Sequence, residues 1–262
     1  MKAILKLFIP NGVTSNRVAL GLIISQIILG LIMCIVCPFA LLPKPMDILY
    51  AWVNLFNNMG LANQLCSSMV VNIEAILLST IISLVLAYST VILFMRPIVG
   101  IISKFRFSSL TGFVFYFTVL FGIGHGLKVS LLTFGMTVFL VTSLYRIVEE
   151  IPKEEFDHAR TLGMSEWQVV LEVVILGRLD FVCEALRQNA AIGWMMLTMV
   201  EGLSRSEGGI GTLLLNENKQ FQLAPIFALQ FTVLIIGIFQ DKLLLFTKNK
   251  CFPYSQLAQE RK

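Results

Sequence analysis

The sequence predicts an all-α integral membrane protein with six transmembrane helices. Of its 262 residues, 56% are hydrophobic and 14% are charged, whereas a soluble domain carries about 25% charged residues. The mean hydropathy of the chain is +0.82. A soluble protein of this composition would expose large apolar patches and aggregate. We therefore expect lipid to surround most of the chain.

Six apolar segments are candidate spans, because a helix needs roughly 20 residues to cross a hydrocarbon core of about 30 Å. They are residues 18–42, 69–94, 107–122, 128–147, 179–200 and 221–246. The third segment is short, and the fifth carries polar residues. The first apolar run is about 25 residues long, longer than the roughly 7–15 residues of a signal-peptide core. We expect it to be a retained first span.

The distribution of lysine and arginine predicts the orientation. With the N-terminus inside, 15 of the 20 Lys and Arg residues are cytoplasmic, one lies within the fifth span, and four are outside. The outer four are Lys44, Lys128, Arg205 and Lys219, and the residue within the span is Arg187. This excess follows the positive-inside rule. It predicts a cytoplasmic N-terminus (1–17), a transmembrane domain (18–246) and a cytoplasmic C-terminal tail (247–262).

The five cysteines, an odd number, do not predict a disulfide framework. Cys34 and Cys37 form a C-x-x-C motif within the first predicted span, with no further metal ligand nearby in the sequence. Because a structural zinc site needs four ligands, we expect free thiols packed in an apolar helix.

The segment after the first span is either an interfacial helix or a simple outer loop. Pro43 and Pro45 end the span, because a proline disfavours helix at the residue before it. Apolar residues then recur at helical spacing. They are Ile48, Leu49, Trp52, Val53 and Phe56. This pattern is typical of a helix lying at the headgroup level.

Residues 148–178 are the most strongly patterned segment outside the spans. Pro152 suits the first turn of a helix, and the acidic residues after it lie at the positive end of the helix dipole. Gly163 is a natural residue after the helix, because it accepts positive φ. Ser165 and Gln168 then have the spacing of a capping box. The segment therefore predicts a helix, a glycine turn and a second helix.

The second helix of this hairpin has an apolar stripe. It comprises Trp167, Val170, Leu171 and Val174. An amphipathic hairpin on the cytoplasmic side can dock on a partner protein or rest on the membrane surface. The residue pattern alone leaves both possibilities open.

The hairpin resembles the EAA coupling loop of binding-protein-dependent ABC permeases. That family's pattern is roughly Glu-Ala-Ala, three residues, Gly, nine residues, then Ile-x-Leu-Pro. The matching positions, in the same register, are Asp157-His158-Ala159, Gly163 and Val173-Val174-Ile175-Leu176. The stretch ARTLGMSEWQVVLEVV is especially similar to the nitrate, sulfonate, taurine and bicarbonate branch. Leu176 replaces the family proline, and Asp180 stands where a second proline is common.

The resemblance extends over most of the chain, in the same order. Its further segments read LLPKP, FGIGHGLKVSLL, EALRQNAAIGWMMLTMVEG, GGIGTLLLN and FQDKLLLF. It implies a type I ABC importer permease fold with a cytoplasmic coupling-helix hairpin, working as a homodimer in the bacterial inner membrane. The implied cargo is a small solute: nitrate, a sulfonate, taurine, bicarbonate, or a vitamin precursor such as a pyrimidine.

The resemblance also implies partners. They are a second copy of the chain, cytoplasmic ABC ATPase subunits, an extracytoplasmic substrate-binding protein and membrane lipid, with no nucleic acid. The sequence contains no G-x-x-x-x-G-K-[ST] phosphate loop. We therefore expect no cofactor on this chain and no enzyme activity, with ATP and Mg bound by the partner ATPase. The alternatives are a secondary transporter, whose signature is an inverted repeat, and an integral-membrane enzyme.

Two groups of residues are candidates for function. The predicted ATPase-coupling loop residues are Glu154, Asp157, His158, Ala159, Leu162, Gly163, Ser165 and Trp167. The candidate translocation-path residues are Glu184, Arg187, Gln188, Trp194 and Glu201.

Some of these residues allow two interpretations. Glu184 and Arg187 are spaced i, i+3, so they can pair on one helix face. They either line the path or form a structural ion pair. Glu74 either lines the path or lies among the outer headgroups. We expect His125 and His158 to be polar loop groups rather than ligands.

Overall fold

A computed structural model describes residues 16–36, 43–204 and 207–253, and these ranges contain helices and no strand. The helices are α1 (Asn16–Val36), α2 (Pro45–Asn58), α3 (Leu61–Ser89), α4 (Met95–Lys104), α5 (Leu110–Phe121), α6 (His125–Glu149), α7 (Lys153–Thr161), α8 (Glu166–Val169), α9 (Leu179–Leu203), α10 (Ile210–Lys219) and α11 (Leu223–Cys251). Residues 37–42 of the first predicted span, Arg205 and most of the predicted C-terminal tail lie outside the described residues. The structure likewise does not describe the side chains of the C-x-x-C pair.

Helix α6 is the centre of the molecule. Thirteen of its 25 residues are buried, because α3 packs on one side of it and α9 on another, while α4 and α5 cover further faces. Leu132 and Met136 are fully buried there, and Trp194 and Leu197 of α9 belong to the same core cluster. The predicted fourth span, residues 128–147, is therefore the helix around which the others are arranged.

A row of small residues lets α3 lie close to its neighbours. The row runs through Ser68, Asn72, Ala75, Ser79, Ser83 and Ala87, all fully buried. Small side chains at such spacing allow helix backbones to approach each other in membrane proteins. Ser83 illustrates the closeness, since its hydroxyl donates to the backbone oxygen of Thr137 on α6 at 3.3 Å.

The segment after the first span is a helix, α2, and not the simple loop that the sequence left as an alternative. The residue of α2 that is fully buried is Leu55, within a cluster that includes Leu229 of α11. The indole N–H of Trp52 donates to the hydroxyl of Thr232 at 3.0 Å. The side chains of the predicted apolar stripe are partly or largely exposed, with Val53 at 56%. Its location at a membrane interface stays a prediction.

Several predicted span boundaries were wrong. The second span was predicted at residues 69–94, but helix α3 begins earlier, at Leu61, and ends earlier, at Ser89. Residues 90–94 form turns between α3 and α4, so the helix does not continue to residue 94. The sixth span begins two residues late, since Phe221 has a left-handed backbone with φ of +56°.

The third predicted span differs most from the structure. Residues 105–107 form a 3₁₀ turn that continues α4, and α5 begins only at Leu110. The axis bends by 112° between Met95–Phe107 and Leu110–Phe121. Twelve residues of α5 are about 18 Å long, short of a core of about 30 Å. This segment is a broken span or a re-entrant loop.

By length and composition, three helices among the described residues can cross a membrane, or four if the bent pair is one span. The three are Leu61–Ser89, His125–Glu149 and Leu223–Cys251. Helix α9 has 25 residues but carries the polar residues noted above. Six crossings therefore remain a prediction, whereas the all-helical membrane architecture is confirmed.

Candidate functional site

The segment between α6 and α9 folds as the predicted hairpin. Helix α7 ends at the Gly163 turn, where φ is +80°. The N–H of Gly163 donates to the Arg160 oxygen at 2.9 Å, and the N–H of Met164 donates to the Ala159 oxygen at 3.4 Å. These two bonds form a Schellman motif, which closes a helix with a residue of positive φ. The sequence therefore predicted this turn correctly.

The second half of the hairpin starts with the predicted capping box. The Ser165 N–H donates to Gln168 Oε1 at 2.8 Å. After one α-helical turn the chain forms a π-helical segment, Val170–Ile175, and then a 3₁₀ turn, Leu176–Arg178. This irregular backbone lies where Leu176 replaces the family proline, and it leads directly into α9.

The inner face of the hairpin is buried. Ala159, Val169 and Val174 are 1–5% exposed. At the base of the hairpin, Arg178 donates to Glu155 Oε1 at 2.6 Å, which ties the entry of α9 to α7. The hairpin is therefore a packed unit that is closed at its base, and it is not a free loop.

Two ion pairs brace the turn itself. Arg160 donates to Glu166 across the turn at 2.9 and 3.1 Å and to Asp157 on its own helix at 3.1 Å. These hydrogen bonds lower the pKa of the Glu166 carboxyl and raise that of Arg160. A lowered carboxyl pKa means that the bracing is complete above the ordinary glutamate pKa and is lost as the pH falls through the lowered value.

The outer face of the hairpin leaves large apolar side chains uncovered. Trp167 is 75% exposed, Leu162 is 64% exposed and Leu171 is 48% exposed. Acidic Glu154 and Asp157 are exposed on α7 beside them. We call this set the outer hairpin face. An apolar patch rimmed by charges is typical of a protein or membrane interaction surface.

The predicted pair on α9 forms and is larger than the sequence indicated. Arg187 donates to Glu184 at 2.6 Å and to Asp241 of α11 at 2.5 Å. Lys248 of α11 donates to the second oxygen of Glu184 at 2.8 Å. Gln188 also donates to Glu184, at 3.3 Å. This network of charged side chains joins the first half of α9 to the second half of α11.

Sequence reasoning missed the two α11 partners of this network. Asp241 and Lys248 are seven residues apart, which places both on one helix face. That spacing within an apolar helix was the available signal, because ionisable groups in a span usually pair.

Trp194 lies next to a groove between α9 and α11. The groove has a volume of about 520 Å³, and Thr198, Gln230 and Asp241 line it together with Trp194. The indole N–H of Trp194 donates to Gln240 at 2.7 Å. Trp194 itself is 4% exposed, so only its edge reaches the groove.

Glu201 lies at the other end of α9 and is fully buried. It accepts the hydroxyl of Ser68 at 2.6 Å and the N–H of Gly211 at 2.8 Å. Fourteen residues separate Arg187 from Glu201, about 21 Å along a helix. The five candidate path residues therefore do not form one cluster in the described structure. Their role in translocation stays a prediction.

Glu74 and His125 form a pair that joins α3 to the first turn of α6. The distance from Glu74 Oε2 to His125 Nε2 is 2.7 Å, and both side chains are nearly half exposed. His158, the other histidine, is exposed on α7. Both histidines are therefore helical, not loop groups as predicted, and His125 is partnered.

Comparisons in sequence find ABC transporter permeases. The chain is 23% identical over 139 residues to a Methanocaldococcus jannaschii protein named as an ABC transporter permease, covering 53% of this chain and 52% of the relative. It is 22% identical over 140 residues to a protein of that kind from Brucella abortus strain 2308, covering 53% and 56%. The chain spans about half the length of the curated relatives it matches. No protein-family model matches it.

Comparisons in structure identify the fold. A solved structure of an amino acid ABC transporter matches with a TM-score of 0.63 and 13% identity, over 76% of this chain and 98% of that chain. Two inward-facing structures of a methionine ABC transporter match with TM-scores of 0.53, at 17% and 18% identity, over 73% and 81% of this chain and 92% and 98% of those chains. The chain therefore shares the all-helical fold of these ABC transporter chains.

Proposed function

We propose that this chain is the membrane-spanning permease subunit of an ATP-driven ABC importer. It forms the translocation path for a small solute and couples to a separate cytoplasmic ATPase through residues 148–178. It works as a homodimer with an extracytoplasmic binding protein in the bacterial inner membrane. Both termini are cytoplasmic. Within the family, the nitrate, sulfonate, taurine and bicarbonate branch is the one its motifs resemble. Hydrolysis of ATP is assigned to the partner, not to this chain.

The observation that carries the proposal is the two-faced hairpin. Its inner face is buried, while its outer face leaves Leu162 and Trp167 mostly exposed. A partner that docks on the outer face therefore acts on a folded unit that is closed at its base and leads directly into α9. A flexible loop would instead absorb the partner's movement and would not transmit it to the helices.

The hairpin is also placed to transmit that motion. It follows α6, the most buried helix, and leads directly into α9, which packs on α6 and α11. A shift of the hairpin would move the ends of both helices together. Rigid-body movements of this type underlie many switching transitions in proteins.

The first experiment changes the turn. A Cβ at Gly163 would meet nothing within 4 Å, but the positive φ remains. The strain of Gly163→Val is therefore conformational, roughly 1–2 kcal/mol. We expect Gly163→Val to insert normally, to lose ATPase co-purification and to abolish uptake in cells. Gly163→Asn is milder, because asparagine tolerates the left-handed conformation.

Contact variants separate docking from turn geometry. Trp167→Ala and Leu162→Ala remove exposed side chains, so we expect the unfolding temperature to stay unchanged while ATPase co-purification falls. Phe107→Ala is the matched control, since Phe107 is 79% exposed and lies outside the hairpin. Full ATPase binding and full uptake in Gly163→Val and in both contact variants would overturn the proposal.

A further inference from the structure

A groove between α3, α5 and α6 lies apart from the hairpin and from the α9–α11 network. Its volume is about 520 Å³, within the roughly 300–1,000 Å³ of small-molecule sites. Most of its wall is apolar. Phe117, Phe121 and Phe134 supply aromatic surface, and Leu78 and Ile82 supply aliphatic surface. The Phe117 and Phe121 rings are stacked at 5.8 Å, and Phe117 lies 5.5 Å from Phe134.

Charge in this groove comes from the Glu74–His125 pair. Both residues line it, and no Lys or Arg is among the described residues that do so. While the imidazole is neutral, the pair carries one negative charge. A carboxylate and aromatic faces together attract a cation, the first by charge and the second by cation–π contact. An anion would find no Lys or Arg among the described lining residues.

Two further lining residues have unused hydrogen-bonding groups. Thr133 and Thr137 are each 7% exposed, and their hydroxyls have no hydrogen-bond partner within the described part of the chain. Buried hydroxyls are normally paired, because leaving one unpaired is unfavourable. Rotation about χ1 exchanges a threonine's hydroxyl and methyl positions, so both residues can present a hydroxyl to an occupant. Four residues apart on α6, they lie on one face.

We infer that this groove is a solute site for a compact molecule with an aromatic or apolar body and a cationic nitrogen head group. The head group pairs with Glu74 and replaces the imidazole contact, the body lies against the phenylalanine rings, and the threonine hydroxyls bind a polar edge. The inference rests on the proposed function only in taking this solute to be the transported one. It assigns an organic cation, not a small inorganic anion, as cargo.

The test measures charge selectivity at the groove without a known ligand. The full chain, with its five cysteines replaced by alanine, is placed in lipid nanodiscs and given Thr133→Cys. Trimethylammonioethyl and sulfonatoethyl methanethiosulfonate then react with this thiol, and the rates are normalised to those for a free thiol in water. We expect the cationic reagent to be favoured about tenfold, as charged clefts concentrate counter-ions. Glu74→Gln should remove most of that preference.

Glu207→Gln is the matched control, because it removes an exposed carboxylate outside the groove, and it should leave the preference unchanged. Equal normalised rates, or a faster anionic reagent, would overturn the cation assignment. No reaction with either reagent would show that lipid or another helix fills the groove, which overturns the solute site.

Protection tests the rest of the site. Millimolar phenethylammonium should slow labelling of Thr133→Cys, whereas phenylpropionate should not. Thr137→Val should weaken that protection while leaving the unfolding temperature unchanged or raised, since it removes an unpaired hydroxyl. Protection by the anion, or protection unaffected by Glu74→Gln, contradicts the inference. The labelling assay contains no ATPase, so a negative result would overturn the groove site without affecting the proposed coupling role of the hairpin. Conversely, a failure of the ATPase co-purification prediction would not affect the groove site.

Discussion

Glu201 and Lys128 show how this chain buries charge. Both are fully buried; Lys128 holds the segment before α10, and Glu201 holds the first turn of α10. Lys128 donates to the Gly208 oxygen at 2.7 Å, and Glu201 accepts from Gly211 and Ser68. The sequence placed Glu201 among the candidate translocation-path residues. It could not identify the partners, because a backbone N–H and a serine 133 residues away carry no signature.

We expect Glu201→Ala to destabilise the folded protein. The change leaves the Gly211 N–H and the Ser68 hydroxyl without their acceptor, at a loss of about 1–3 kcal/mol. The measurement is the unfolding midpoint of the purified protein in detergent. Glu207→Ala, at an exposed carboxylate, should change it little. If Glu201→Ala keeps its midpoint and loses uptake, the carboxylate belongs to the translocation path after all.

The Glu184–Lys248 contact can be tested by a double-mutant cycle. The two side chains are 28% and 12% exposed, so their pairing is screened less than a surface pair. We expect a coupling energy of about 0.5–3 kcal/mol between Glu184→Gln and Lys248→Met in unfolding experiments. The exposed Arg160–Glu166 pair is the control and should couple more weakly. Near-zero coupling with altered uptake would instead favour the path-lining interpretation of Glu184.

At the scale of elements, hydropathy located the apolar helices but not their contacts. It found the cores of α3, α6 and α11 because each is long and apolar, and it found α9 despite the polar residues in that helix. The ends were less accurate, since hydropathy does not mark where a helix stops, as at Ser89. The small-residue row on α3 was readable in principle, because its members recur at three- and four-residue spacing. The bend before α5 was not, because tertiary packing decides whether such a short apolar run continues straight.

Gly211 tests the packing between α9 and α10. A Cβ there would overlap the backbone oxygen of Thr198, and backbone cannot move aside as a side chain can. We expect Gly211→Ala to lower the unfolding temperature or prevent folding. Gly112→Ala is the matched control, because its Cβ meets nothing within 4 Å and alanine favours helix by about 1 kcal/mol. Equal behaviour of the two variants would mean that α10 does not approach α9 this closely.

At the scale of the whole molecule, the chain leaves much apolar surface uncovered. Leu20 and Leu29 of α1 are each 61% exposed, and Phe115 of α5 is 73% exposed. Such surface is expected to face lipid or a second copy. Composition alone predicted this membrane setting. It could not fix the number of crossings, because a 12-residue α5 and a polar α9 are neither typical spans nor typical soluble helices.

The uneven distribution of Lys and Arg predicts which segments face the cytoplasm. With more Lys and Arg on one side, the hairpin should be cytoplasmic and α2 and α10 should be outside. In intact cells, a membrane-impermeant maleimide should label cysteines placed at Asn57 and Asn216, and should not label cysteines at Ser103 or Glu155. Three of these four positions are exposed. Ser103 is half-buried, so permeabilised cells serve as the control, in which all four should react. External labelling at Glu155 would put the hairpin on the side that no cytoplasmic ATPase reaches, and the coupling mechanism would fail with it.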